Sequence, residues 1–236
     1  MMLNNDFIKF LYNKYKNELI TIREKMKHNH HIGVPQFDDI EAELTVLLLL
    51  YNKPKNVIEF SPYTGWSTSI ILDTLELNNN GAFLKSYDIV DRCSNFIKSL
   101  NHKNVEWNFE LGDVSKKFKN WNLNNIDYLF IDSDHSLEFA ILYINLLLIP
   151  LLKNCKKNKR KVMVSVHDIF HDNKPESNEE GEAIINFLSE NNINYYSVAK
   201  SLNINFNIIN NIRNSLSFNS PIHESQTNPS IFFILK

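Results

Sequence analysis

Glycine is scarce in this chain: five residues in 236, none of them in a G-x-G-x-x-G run. A dinucleotide loop of the dehydrogenase kind needs those glycines for its tight turn and its close approach to the pyrophosphate. An NAD(P)-dependent oxidoreductase is therefore a weak alternative. Cysteine is rarer still, with only Cys93 and Cys155. They stand in no metal-ligand spacing and are too few for a disulfide framework, which fits two reduced thiols inside a cell. Neither sign of charge dominates, with 25 Lys and Arg against 27 Asp and Glu and a net charge of -2. That argues against the basic face on which nucleic-acid binding depends. Long apolar runs are missing as well. The longest, 140–152, contains Asn145 and Pro150 and falls short of the about 20 residues of a membrane span. Residues 1–17 are too polar for the apolar core of a signal peptide. The expectation is a cytoplasmic protein that engages neither nucleic acid nor membrane.

What is present is an ordinary globular composition, 43% hydrophobic and 22% charged, in a chain long enough to bury about 70% of its unfolded surface. Phe7, Ile8, Leu11, Tyr12, Tyr15, Leu19 and Ile22 recur at helical spacing, which predicts one helix over about 7–26. A polar loop follows, including His28, His30 and His31, which read as a solvated tract. A second helix is expected over 38–51, capped by Asp38 or Asp39. Residues 1–52 thus form a helical extension, suited to a lid or a homodimer surface, ahead of a main domain over 53–236.

From there strands and helices alternate. Strand-like runs fall at 56–60, 83–90, 105–110, 126–132, 161–167, 193–199 and 231–235, with helices at 64–77, 94–100, 136–152 and 179–190. The stretch 206–228 reads as a sheet-edge strand and a loop shaping an acceptor pocket. This order implies an α/β, Rossmann-like, doubly wound fold: a mostly parallel seven-stranded sheet with helices on both faces. Ligands in such sheets bind beyond the carboxyl ends of the strands, and polar residues collect there.

The first tip is Glu59-Phe60-Ser61-Pro62-Tyr63-Thr64-Gly65-Trp66-Ser67-Thr68, an acid, a tight loop and a helix start whose free N–H groups suit an anionic group. A β-carbon at position 61 requires a negative φ there. Asp88 ends the second strand, where nucleoside-binding folds place an acceptor for ribose hydroxyls. Gly112-Asp113 follows the third, suited either to an adenine amino group or to a helix cap. Ile131-Asp132-Ser133-Asp134-His135 follows the fourth and Val166-His167-Asp168-Ile169 the fifth. Adjacent parallel strands lie about 4.8 Å apart, so Asp132 and Asp168 can converge on one cation. Oxygen ligands suit Mg²⁺, Ca²⁺ or Mn²⁺, while an added histidine favours a transition metal. His171 and Asp172 read as outer-loop residues.

These segments resemble the class I S-adenosylmethionine-dependent methyltransferases, most closely the small-molecule O-methyltransferases grouped with catechol O-methyltransferase and the macrolide and sugar O-methyltransferases. NVIEFSPYTGWST resembles their E-x-G-x-x-x-G-x-S/T loop, YDIVD their ribose-binding strand end, and LGDV their adenine-contacting segment. YLFIDSDHS resembles their F-I-D-x-D-H-S strand end, and VSVHDIF the H-D-I segment. The resemblance spans about 56–187. It implies that Glu59, Ser61 and Gly65, with Tyr63, Ser67 and Asp132 nearby, line the methionine side of S-adenosyl-L-methionine. It further implies that Asp88 holds the ribose, that Asp113 lies near adenine, and that Asp132 and Asp168 hold Mg²⁺ or another divalent cation. Catechol-type relatives carry a lysine base three residues after the first metal aspartate; His135 takes that spacing, with His167 second in line. They also follow the last metal aspartate with asparagine, where this chain has Ile169. The implied activity is methyl transfer to a hydroxyl of a small acceptor, a sugar or glycoside first. A catalytically silent scaffold or partner subunit is the main rival.

Overall fold

In the computed structural model the described residues are 3–30, 34–170, 177–218, 220–223 and 229–236. The N-terminal apolar stripe makes two helices, α1 (Asn5–Lys14) and α2 (Lys16–Asn29), not one. The break is at Tyr15, which leaves the helical region (φ -110°, ψ 26°) and caps α1. The turn lets both helices keep an apolar face on the core, with Ile8, Leu11, Tyr12, Leu19 and Ile22 fully buried. Helix α3 (Asp39–Asn52) begins with Asp38 in a capping box with Glu41, the reciprocal arrangement that satisfies first-turn N–H groups.

Next come β1 (Asn56–Phe60), α4 (Trp66–Asn78), β2 (Phe83–Asp88), α5 (Ser94–Ser99), β3 (Glu106–Leu111) and β4 (Tyr128–Ile131). The chain continues through α6 (Leu137–Tyr143), α7 (Ile149–Asn158), β5 (Val162–Val166), α8 (Glu179–Glu190), β6 (Tyr195–Ser197), α9 (Ile204–Ser215) and β7 (Ile231–Leu235). The sheet order is β3-β2-β1-β4-β5-β7-β6. Strands β1 to β5 pair in parallel, and β7 runs antiparallel between β5 and β6. This is the mostly parallel, seven-stranded sheet expected from the alternation.

Each strand sends alternate side chains to opposite faces, and both faces are covered. Val57, Tyr128, Phe130, Phe232 and Ile234 join one cluster with α1 to α4 and α9. Ile58, Phe60, Leu129, Ile131, Val164 and Phe233 join the other with α6, α7 and α8. Two expectations need correction. The apolar run at 140–152 belongs to a continuous helical stretch, Leu137–Asn158, with a π turn at Ile144–Leu148. Its 22 residues suffice by length and composition to cross a bilayer, yet Tyr143, Leu147, Leu148, Leu151 and Leu152 pack into the sheet's core. The stretch at 206–228 is not an edge strand: α9 occupies its first half, burying Ile209 and Ile212, and residues 219 and 224–228 lie outside those described. Its apolar residues recur at helical spacing, a pattern that the many intervening asparagines obscure.

Candidate active site

The β1 tip is built around a carboxylate. Glu59 is fully buried and accepts hydrogen bonds from Ser67 Oγ (2.8 Å), Thr68 Oγ1 (2.8 Å) and Ser86 Oγ (2.6 Å). Burial pushes its pKa up to about 7 against these donors. Ser67 and Thr68 therefore serve as anchors for the strand acid rather than as caps; α4 starts from Gly65. Between them the loop turns sharply. Ser61 (φ 55°), Tyr63 (φ 48°) and Gly65 (φ 91°) are all left-handed. The negative φ expected at Ser61 is overturned: the backbone keeps the shape a glycine loop takes, and Ser61 carries its β-carbon at a strained angle. Glycine is required at 65, where an added β-carbon would lie 3.0 Å from Cys93 Cβ and from Ile97.

This loop borders an open cleft past the ends of β1, β2, β4 and β5. Ser61, Tyr63, Asp88, Asp132, His135 and Asp168 face it, together with Arg92 and Gln36. Asp88 Oδ2 accepts the backbone N–H of Tyr63 at 3.3 Å, which couples the second tip to the loop. Ser67 lines an adjoining recess with Trp66 and Asp132. Glu59 lies beneath the loop, and Asp113 is not among the cleft's lining residues. Asp113 caps the 3-10 turn Val114–Asn120 by accepting from the N–H (2.9 Å) and Oγ (2.6 Å) of Ser115. Of its two readings, the cap is the one seen.

At the β4 and β5 tips, one donor atom each from Asp132, His135 and Asp168 lie within 4.8 Å of one another, so the residues present fit a cation. His135 Nε2 is 3.4 Å from Asp168 Oδ2 and 3.9 Å from Asp132 Oδ1. Burial alone lowers the His135 pKa, but Glu180, Asp168 and Asp132 outweigh it and hold it above the ordinary value. His167 is buried behind the carboxylates. Its Nδ1 is 3.2 Å from Asp132 Oδ1 and 3.1 Å from Asp168 Oδ1, and its Nε2 is 3.3 Å from Glu41 Oε2. Here too desolvation is outweighed, by Asp132, Glu41 and Asp168, and the imidazole is held well above its usual pKa. His171 and Asp172 lie outside the described residues, as does His31.

No family model and no curated protein matches the chain. Solved structures do. An O-methyltransferase from Bacillus cereus, in complex with S-adenosylhomocysteine, aligns over 92% of this chain and 90% of its own, with 13% identity and a TM-score of 0.55. The S-adenosylhomocysteine-bound methyltransferase PaMTH1 of Podospora anserina covers 100% and 98%, with 13% identity and a TM-score of 0.51. The O-methyltransferase TomG from Streptomyces achromogenes, in complex with S-adenosylmethionine, covers 91% and 88%, with 11% identity and a TM-score of 0.52. The chain shares its Rossmann-like fold with these proteins.

Within this fold, three residues that sequence reasoning passed over hold the site together. Glu180, on the first turn of α8, sits 2.8 Å from His135 Nδ1 and accepts from Tyr143 Oη at 2.7 Å. Glu41, on α3, meets His167 and accepts the Ser230 N–H at 2.8 Å. Both carboxylates are fully buried. In the sequence they sit in acid-rich helix starts, DDIEAE and NEEGE, where surface caps are the ordinary reading. The usable signal is the apolar run that directly follows Asp38–Glu43, which buries that whole turn.

Proposed function

We propose that the chain is an S-adenosylmethionine-dependent methyltransferase that acts on a hydroxyl of a small acceptor, a sugar or glycoside first, assisted by a divalent cation. The observation that carries this reading is that carboxylates from three strand tips, Asp88, Asp132 and Asp168, face one cleft beside the left-handed Ser61–Gly65 loop. The S-adenosylmethionine and S-adenosylhomocysteine complexes of the structures aligned above support it. In this reading Asp88 accepts from the ribose hydroxyls, and the loop and the α4 start receive the methionine end. Asp132 and Asp168 hold the cation, which supplies Lewis acidity toward the acceptor oxygen when bound. Aligning nucleophile, methyl group and sulfur in such a cleft supplies about 7–11 kcal/mol of the barrier. Gln36 brings the N-terminal extension to the cleft wall, which supports a part for that extension in enclosing the acceptor. His167 has both nitrogens on carboxylates and is closed off from the cleft, so it takes no proton from an acceptor there.

Titration calorimetry with S-adenosylhomocysteine and, separately, NAD tests the reading. Binding of the first alone is the expected result. Binding of neither makes the chain a silent scaffold, and binding of NAD alone makes it an oxidoreductase.

A further inference from the structure

We propose that His135 is a ligand of the cation, completing an Asp132–His135–Asp168 set that selects a transition metal such as Mn²⁺ or Co²⁺ over Mg²⁺. The inference deepens the function proposed above, since it concerns the same ion.

The geometry carries it. A first-row ion binds oxygen and imidazole nitrogen at about 2.0–2.2 Å, which sets neighbouring donor atoms about 3 Å apart and opposite ones about 4 Å apart. His135 Nε2 lies 3.4 Å from Asp168 Oδ2 and 3.9 Å from Asp132 Oδ1, both inside that range, and the three donor atoms all lie within 4.8 Å of one another, so an ion would draw the two carboxylates only slightly together. The nitrogen is directed at the carboxylates by a device on its far side. Glu180, fully buried and itself held by Tyr143, lies 2.8 Å from Nδ1; a proton kept on that side of the ring leaves Nε2 to an ion, which would displace any proton there. A carboxylate behind a histidine in this way is the usual outer partner of a metal-bound imidazole. The aspartates have an outer partner too, because His167 Nδ1 contacts both at 3.1–3.2 Å while Glu41 holds its other nitrogen.

The position after Asp168 cannot supply a third donor. Ile169 is fully buried and apolar. His135 fills that gap from the neighbouring strand tip, and an imidazole in place of an amide oxygen moves the preference from Mg²⁺ toward the later divalent ions. One lone pair cannot both bind an ion and accept a proton. The proton-acceptor role implied by the spacing from Asp132 therefore gives way to ligation.

The test uses the full chain, stripped with a chelator and reloaded with Mn²⁺ or Co²⁺. The expected result is one ion per chain, with nitrogen-14 couplings in the pulsed electron paramagnetic resonance of the Mn²⁺ form. His135→Ala should abolish those couplings and weaken Mn²⁺ binding at least tenfold. Glu180→Gln should keep the couplings and weaken binding about 10–100-fold. Circular dichroism confirms folding, and His135→Gln stands in if the alanine variant is unfolded. Mn²⁺ bound without nitrogen couplings, or equally well by a folded His135 variant, overturns the proposal. So does a chain that binds S-adenosylhomocysteine but no Mn²⁺, in which case the methyl-donor reading survives. Nitrogen-coupled Mn²⁺ in a chain that binds no S-adenosylhomocysteine upholds the ligand set and removes the methyl-donor reading instead.

Discussion

Ser86 Oγ on β2 donates to Glu59 Oε2 on β1 at 2.6 Å, and through this contact a carboxylate without solvent access joins the two strand tips beneath the cleft. Its pKa of about 7, raised chiefly by burial, has a consequence for stability. An unfolded glutamate titrates near pH 4.3. Between about pH 4.5 and 7 the folded chain therefore keeps a proton that the unfolded chain has lost. Stability must fall as pH rises through that window and level off above it, by about 3.5 kcal/mol in all. Glu59→Gln should remove this component. Urea midpoints of both proteins at pH 5 and pH 8 measure it, with the wild type losing ground to the variant at pH 8. Identical pH slopes in the two would show that Glu59 titrates normally.

Ser61 occupies a left-handed backbone position (φ 55°), which costs a residue with a β-carbon about 1–2 kcal/mol. Glycine relieves that strain and adds about 0.4–1 kcal/mol of unfolded-chain entropy. Ser61→Gly should thus gain up to about 1 kcal/mol, a rise in melting temperature of about 2–4 °C for a chain this size. Ser61→Val, branched at Cβ, should lower it. Thermal melts decide; a destabilised glycine variant would mean that the serine side chain holds the loop.

Much of this architecture was legible in the sequence because buried strands announce themselves. NVIEF, YLFI and IFFIL are short apolar runs bounded by polar turns, and all of them lie in the sheet. The strand-tip acids could be found for the same reason, since a tip is where such a run ends. What escaped were partners distant in the chain. Nothing local marks Glu180 as the neighbour of His135, 45 residues away, or Glu41 as that of His167, 126 residues away. The backbone at Ser61 escaped as well, because a left-handed serine looks like any other serine in a sequence. Helix α9 was masked by asparagines that interrupt its apolar spacing.

The first turn of α3 holds a buried ionic cluster. Glu43 accepts from Tyr12 Oη at 2.8 Å and Arg213 Nε at 2.9 Å and pairs with Arg23, which also reaches Asp39 at 3.2 Å. Asp39 in turn receives the N–H groups of Ile222 and His223. The cluster locks α1, α2 and α9 to the turn that carries Glu41 toward His167. Removing one member of such a buried pair strands the other, at a cost of about 3–5 kcal/mol. Glu43→Ala should show that loss in urea denaturation, and adding Arg213→Ala should cost less than the sum of the two single changes. A loss under about 1 kcal/mol for Glu43→Ala would mean that water reaches the cluster.

Asp88 and Asp113 follow successive strands, yet the structure gives them different surroundings, and S-adenosylhomocysteine affinity should separate them. Asp88 faces the cleft and tethers the loop through Tyr63. On the proposed ribose-binding role, with each hydrogen bond to a charged acceptor worth about 1.5–3 kcal/mol, Asp88→Ala should bind at least tenfold more weakly. Asp113 is spent on Ser115 at the head of a 3-10 turn. Asp113→Ala should cost about 1 kcal/mol of stability, as for a lost cap, and leave calorimetric affinity within about twofold of the wild type. If Asp113→Ala weakened binding as much as Asp88→Ala, the third strand tip would have to swing into the cleft when the nucleoside binds.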